Sequence, residues 1–183
     1  MSPATAIPAL VPPAKPQYHH PLPAGERMMT METLGLGLCF EDLPLGRRFR
    51  TIGRTLTEAD LVNFIGVTGM TEVLFTNQEF LAEESDIRRR VVPGAMVYAF
   101  AEGLLVHATM QHTGFAFLEM QLTVHAPCCV GDTIHVECEV IEARRSRSRP
   151  GRGLVRTRNQ VLRSDATLLL SYTPLRMIKA RNA

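Results

Sequence analysis

The sequence has little charge imbalance: 20 Lys and Arg stand against 18 Asp and Glu, a formal net charge of +2 at pH 7 over 183 residues. So small an excess gives no electrostatic case for a nucleic-acid or membrane-surface partner. Cysteine is sparse, and Cys39, Cys128, Cys129 and Cys138 show no C-x-x-C spacing. Adjacent cysteines make a poor zinc site, so reduced, buried thiols in a cytoplasmic protein are expected. The N-terminus lacks a basic stretch leading into a clean apolar run, because prolines interrupt it, and no secretion signal is expected. Internal repeats are absent. The most apolar stretch, 91–110, is itself broken by Pro93, Gly94 and Gly103 and carries Glu102 and His107, which favours a buried helix over a membrane span.

What remains is ordinary globular material. Hydrophobic residues make up 45% and charged residues 21%, enough for one domain with a real core. Residues 1–30 read as a proline-rich arm, since Pro8, Pro12, Pro13, Pro16, Pro21 and Pro23 favour extended chain over helix or central strand. His19 and His20 in that arm lack a third ligand for a metal, and Met28, Met29 and Met31 offer alternative translation starts. Residues 31–183 read as the folded domain.

Within that domain a strand is expected over Arg48–Arg54, where polar and apolar residues alternate. Thr57-Glu58-Ala59-Asp60 starts a helix, with a hydroxyl cap, acids in the first turn, and a stop at Gly66 or Gly69. A loop follows over Met70–Phe75, then a short helix over Asn77–Ala82. The run 91–110 is apolar nearly all round, which predicts a helix wrapped by the rest of the protein. Pro93 suits its edge, and Gly94 and Ala95 leave its first turn bare, so free N–H groups and the positive dipole end face outward. Strands are expected over 115–124, 134–140, 154–162 and 167–175, with turns at Val130–Thr133 and Arg163–Asp165 and a loop over Arg144–Gly153. One long apolar helix followed by an antiparallel meander is an α+β arrangement, a sheet wrapped around one central helix.

From Phe40 to Arg181 the sequence resembles the MaoC-like dehydratases, which have the hot dog fold and include (R)-specific enoyl-CoA hydratases. The resemblance rests on an ordered series: Leu45-Gly46-Arg47-Arg48-Phe49, Thr55-Leu56-Thr57-Glu58-Ala59-Asp60, Phe64-Ile65-Gly66-Val67-Thr68-Gly69, Pro93-Gly94-Ala95-Met96, Gly131-Asp132-Thr133-Ile134, Ser146-Arg147-Ser148-Arg149-Pro150 and Asn159-Gln160. It implies a hot dog fold, an acyl thioester such as an acyl-CoA as ligand, no cofactor or metal, and a homodimer or higher hot dog oligomer. A single sheet of this kind leaves an exposed edge and half a binding tunnel. It also implies that the Gly94 N–H bonds the thioester carbonyl oxygen, flanked by Pro93 and Ala95.

Family members follow the Thr-Gly stretch with a motif like G-D-x-N-P-L-H, whereas this chain reads Gly69-Met70-Thr71-Glu72-Val73-Leu74-Phe75. Met70 takes the aspartate position and Phe75 the histidine position. Neither a thioether nor a phenyl ring moves a proton, and each positioned acid or base is typically worth ~10²–10⁴ in rate, so hydratase activity is expected to be weak or absent. Glu72 is a substitute base or a solvated loop glutamate. Glu102 is a thioesterase-like acid on the helix or a buried structural acid. Asn77 bonds substrate or caps the next helix. His107 and His112 lie ~20 Å or more along the helix from Gly94, too far to act there. His125 and His135 fall in strands as ordinary histidines. The arginines between Arg144 and Arg158 meet coenzyme A phosphates or form a solvated hairpin balanced by acids, with no interleaved aromatics to stack nucleic-acid bases. Three readings follow: a hydratase or dehydratase relative with unusual groups, a thioesterase, or a non-catalytic acyl-CoA-binding subunit beside a catalytic hot dog partner.

Overall fold

The computed structural model describes residues 31–181, so the expected arm at 1–30, with His19 and His20, lies outside the described residues. A single 3-10 turn, Phe40–Asp42, precedes the short strands β1 (Arg48–Arg50) and β2 (Arg54–Thr55). Three helices come next, α1 (Glu58–Thr68), α2 (Val73–Thr76) and α3 (Gln78–Glu83), and then the long α4 (Gly94–Thr109). The chain ends in strands β3 (Gly114–Glu119), β4 (Leu122–Val124), β5 (Thr133–Arg145), β6 (Arg152–Arg163), β7 (Leu168–Tyr172) and β8 (Leu175–Lys179).

Local chemistry explains the helix ends. The Thr57 hydroxyl accepts from the Asp60 N–H at 3.2 Å while the Asp60 carboxylate accepts from the Thr57 N–H at 2.9 Å, a reciprocal capping box. Gly69 closes α1 in the left-handed region at φ 72°, where a Cβ would be strained. The expected loop at 70–75 instead contains the single helical turn α2, closed by the Asn77 N–H donating to the Val73 carbonyl at 2.9 Å.

The sheet is antiparallel throughout. β5 and β6 pair along nearly their whole length, with β1 and β2 on the outer side of β5. On its other side β6 changes partner, taking β8 at 152–156 and β7 at 159–162, and β8 and β7 carry β3 and β4 in turn. Alternation holds in β5, where Ile134, Val136, Cys138 and Val140 are buried between half-exposed His135, Glu137 and Glu139. Buried residues of α4, among them Met96, Val97, Ala101 and Leu105, pack on that inward face.

Four further expectations need correction. The strand expected at 48–54 is broken: the Thr51 hydroxyl, not a carbonyl, accepts the Val136 N–H at 3.0 Å, and Ile52 is thrown outward at 76% exposure. The strand expected at 115–124 divides at Met120 and Gln121, since β3 follows β8 and β4 follows β7. The strand expected at 167–175 stops at Tyr172, because Thr173 and Pro174 turn the chain before β8; the Thr173 N–H goes to the Gln121 carbonyl at 2.9 Å, and the Thr157 N–H reaches Pro174 instead of a strand residue. Finally, α4 is not wrapped on every side. Ala95, Ala99, Gly103 and Val106 are exposed along one face, because one sheet covers only one side of a helix.

Candidate functional site

The first turn of α4 is built as the sequence suggests. Pro93 is buried at the N-cap, and Gly94 and Ala95 are exposed beside it. The first backbone donors to find acceptors are those of Met96 and Val97, both to the Pro93 carbonyl at 2.9 and 3.2 Å, so the turn ahead of them presents the Gly94 and Ala95 N–H groups. A Cβ on Gly94 would meet only Val124 Cγ2 at 3.5 Å, an ordinary contact, and its φ is not positive. The fold therefore has no steric need for glycine here, and the bare Cα leaves room for a ligand atom to approach the N–H.

A cleft of about 100 Å³ opens at this turn, walled by Val92, Val97, Val124, Ala126, Pro127, Cys128, Leu169 and Leu170. The β4 and β7 walls come together because Val124 pairs with Leu170. Its one titratable side chain is Cys128, whose thiol burial pushes up to about 12. The intervening His125 alternates to the opposite face and hydrogen-bonds the Ser171 hydroxyl at 2.8 Å.

None of the other predicted site residues lines this cleft, although Phe75 packs on the core cluster that includes its walls Val92, Val97 and Cys128. Met70 is 38% exposed just after α1, and Phe75 is half-buried, packed against both the main core and the cluster of Leu81, Val91 and Cys129. Arg90 fastens this segment: it donates to the Phe75 carbonyl and pairs with Glu58 of α1 at 2.8 Å. Glu72 is exposed at the N-cap of α2 and makes no capping bond through its side chain. Asn77 is a cap, its side-chain oxygen accepting from the N–H groups of Glu79 at 2.9 Å and Phe80 at 3.2 Å, so that oxygen is committed to α3. Glu102 sits eight residues after Gly94, ~12 Å along the helix. One of its carboxylate oxygens accepts from the Tyr172 hydroxyl at 2.7 Å and the other from the Arg176 guanidinium.

His107 is exposed in the last turn of α4, and His135 lies 3.8 Å from Glu137. The arginine cluster is largely matched by acids: Arg144 with Glu142, Arg145 with Glu41, Arg156 with Glu119 and Glu142, and Arg158 with Glu139, while Arg152 stacks over Phe115 at 3.5 Å. Among the described residues no group of three or more His, Cys, Asp or Glu is placed to hold a metal ion, and no helix is long and apolar enough to cross a membrane. What sequence reasoning missed are the cleft walls Val124, Ala126, Leu169 and Leu170, which only the strand pairing brings to Gly94.

The model of the MaoC-like domain matches residues 42–162, most of the sheet and all of α4. The chain belongs to the MaoC-like domain family. No curated protein matches it. Among solved structures, a MaoC-like dehydratase from Rhodospirillum rubrum is 24% identical with a TM-score of 0.69, covering 80% of this chain and 100% of that one. A protein from Mycobacterium tuberculosis with a double hot dog fold is 24% identical, TM-score 0.71, covering 79% of this chain and 44% of the other, about one of its two halves. The unliganded R-hydratase from Pseudomonas aeruginosa is 19% identical, TM-score 0.66, over 80% of this chain and 89% of that one. The MaoC-like chain thus has the α+β hot dog fold, an antiparallel sheet curved over one long helix.

Proposed function

We propose that this MaoC-like protein binds acyl thioesters, such as acyl-CoA, at the start of α4, and that on its own it hydrates enoyl thioesters weakly or not at all. The observation carrying this reading is the chemistry of the cleft over Gly94. Backbone N–H donors are free to polarise a carbonyl oxygen, while the walls are apolar and the one titratable group, Cys128, stays protonated at neutral pH. Hydration needs one group to take a proton from water and another to deliver one to carbon, and this cleft offers neither. Met70 and Phe75, in place of the family's aspartate and histidine, agree with that lack. The test is thermal denaturation of the purified protein with and without acyl-CoA: a raised melting temperature supports the reading, and no shift with any acyl-CoA argues against it.

A second reading has a specific observation in its favour. The exposed face of α4 at Ala95, Ala99, Gly103 and Val106, together with Phe115, Phe117, Leu118, Leu122 and Val124 on β3 and β4, is more apolar than a monomer's surface needs to be. A second hot dog unit would cover it, either another copy or a catalytic partner, and the double hot dog protein of M. tuberculosis shows that two such units occur in one chain. In this reading the chain is a homodimer or the binding half of a catalytic pair in the cytoplasm. The thioesterase reading gains nothing from Glu102, whose two oxygens are engaged by Tyr172 and Arg176. Nucleic acid is not favoured either, because the arginine hairpin is matched by acids.

A further inference from the structure

Asn159 is completely buried on the inward face of β6, yet neither its side-chain oxygen nor its nitrogen makes a hydrogen bond of normal geometry within the described residues, its amide facing only the Tyr172 hydroxyl. A buried primary amide so poorly satisfied is rare, because its oxygen and most of its N–H capacity have given up water without a replacement. Its position is specific. β6 exchanges β8 for β7 between Arg156 and Asn159, so the sheet is least closed at this level. Tyr172, its register partner on β7, donates its hydroxyl hydrogen to Glu102 rather than to the Asn159 oxygen.

The amide borders a small cavity of about 30 Å³ between the last half of α4 and the sheet. Its apolar walls include Leu105, Met110, Val155 and Ile178, and its polar ones are Thr109, Thr157, Asn159 and Arg176. One water requires roughly 10–15 Å³ measured this way and two to four polar partners. The volume therefore suits about two waters. The polar walls supply acceptors, in the Asn159 oxygen and the threonine hydroxyls, and donors, in the Asn159 nitrogen and the guanidinium N–H groups of Arg176 that do not face Glu102. The Thr109 hydroxyl already donates to the Leu105 carbonyl at 2.7 Å, so toward the cavity it can only accept.

We propose that this cavity is an internal water site, in which about two ordered waters bond the Asn159 amide and bridge it to Arg176, Thr109 and Thr157. The waters join Asn159 to the Glu102–Arg176–Tyr172 cluster and make one polar network running from α4 through β8 and β7 to β6. That network spans the level at which the sheet changes partners, so it binds the two halves of the sheet to the helix.

The decisive experiment is a high-resolution crystal structure of the unmodified protein, which does not depend on any variant folding. The expected result is well-ordered water within hydrogen-bond distance of both amide atoms of Asn159. A dry cavity with the amide turned onto Tyr172, or a co-purified molecule other than water in the cavity, overturns the proposal. Magnetic relaxation measurements of long-lived internal water add a second readout. Asn159→Leu, which fills the cavity with carbon, is expected to lose this water, and Tyr172→Phe to retain it. Persistence of the same slow water in a folded Asn159→Leu protein also overturns the assignment.

Discussion

Glu102, midway along α4, accepts the hydroxyl hydrogen of Tyr172 on β7 at 2.7 Å while its other oxygen pairs with the almost buried guanidinium of Arg176 on β8. Burial and the neighbouring carboxylate push the Tyr172 phenol well above its ordinary value, so it remains a donor at every working pH. The acid is thereby a cross-link between helix and sheet.

Glu102→Gln leaves the buried Arg176 without its counter-charge, and removing one partner of a buried pair typically costs about 3–5 kcal/mol. The amide oxygen still accepts from Tyr172, so a loss at the lower end, about 3 kcal/mol, is expected in urea denaturation. Acyl-CoA binding by the folded variant should be unchanged. A variant of undiminished stability that has lost thiol release from acyl-CoA would instead mark Glu102 as a thioesterase acid.

Asp132 gives the fold a defined acid limit. Burial pushes its carboxyl upward, but a hydrogen bond from Arg89 at 2.6 Å, another from the Cys129 N–H at 2.9 Å, and the charges of Arg89 and Arg163 outweigh that and hold it below 3.8. With the folded value below the unfolded one, the unfolded chain takes up the proton first. The contribution is therefore present above about pH 4 and is lost as pH falls through the folded value. Asp132→Asn should cost about 1–3 kcal/mol at neutral pH and flatten the acid limb of a stability profile. An unchanged acid limb would contradict this.

Two glycines separate folding from binding. A Cβ on Gly153 would lie 2.0 Å from Phe40 Cδ2, so Gly153→Ala must displace the ring and is expected to cost about 1–3 kcal/mol. Gly94→Ala meets only Val124 at 3.5 Å and should alter stability by no more than about 0.5 kcal/mol. In the proposed binding mode its methyl group crowds the thioester's approach, and acyl-CoA binding is expected to weaken by about tenfold, the scale of one lost hydrogen bond. Calorimetric titration beside thermal melting reads both, and intact binding by Gly94→Ala would place the thioester elsewhere.

Met70→Asp combined with Phe75→His installs the acid and base that the proposed reading finds missing. The double variant is expected to gain measurable hydration of crotonyl-CoA over the parent, each group contributing up to ~10²–10⁴ when well placed. Silence from a folded double variant that still binds acyl-CoA would mean that the pocket itself has diverged.

Features encoded by neighbouring residues were legible in the sequence. The Thr57 capping box, the Gly69 stop, the bare first turn of α4 and the alternation of β5 each depend on residues a few positions apart. Features set by distant pairing were not. β8 hides behind Arg176, which reads as a wet residue but is buried by Glu102 and stacks 5.2 Å from Phe117. The breaks at 51–53 and 120–121 arise from the Thr51 hydroxyl and the change of sheet partner, neither of which alters the local pattern. An all-round apolar helix says that its surface will be covered but not by which chain, so the bare face at Ala99 and Gly103 emerged only with the sheet in place. At the candidate site, Gly94 was visible as the start of a helix, whereas the largely apolar lining beside it depends on Val124 and Leu170 meeting across β4 and β7.

The most direct measurement follows the conjugated enoyl-thioester absorbance of crotonyl-CoA with the purified protein at a concentration where acyl-CoA raises its melting temperature. Binding with absorbance loss barely above the uncatalysed background is the predicted result. Rapid loss of absorbance by this chain alone would contradict it and point to an acid and base that the cleft over Gly94 does not contain.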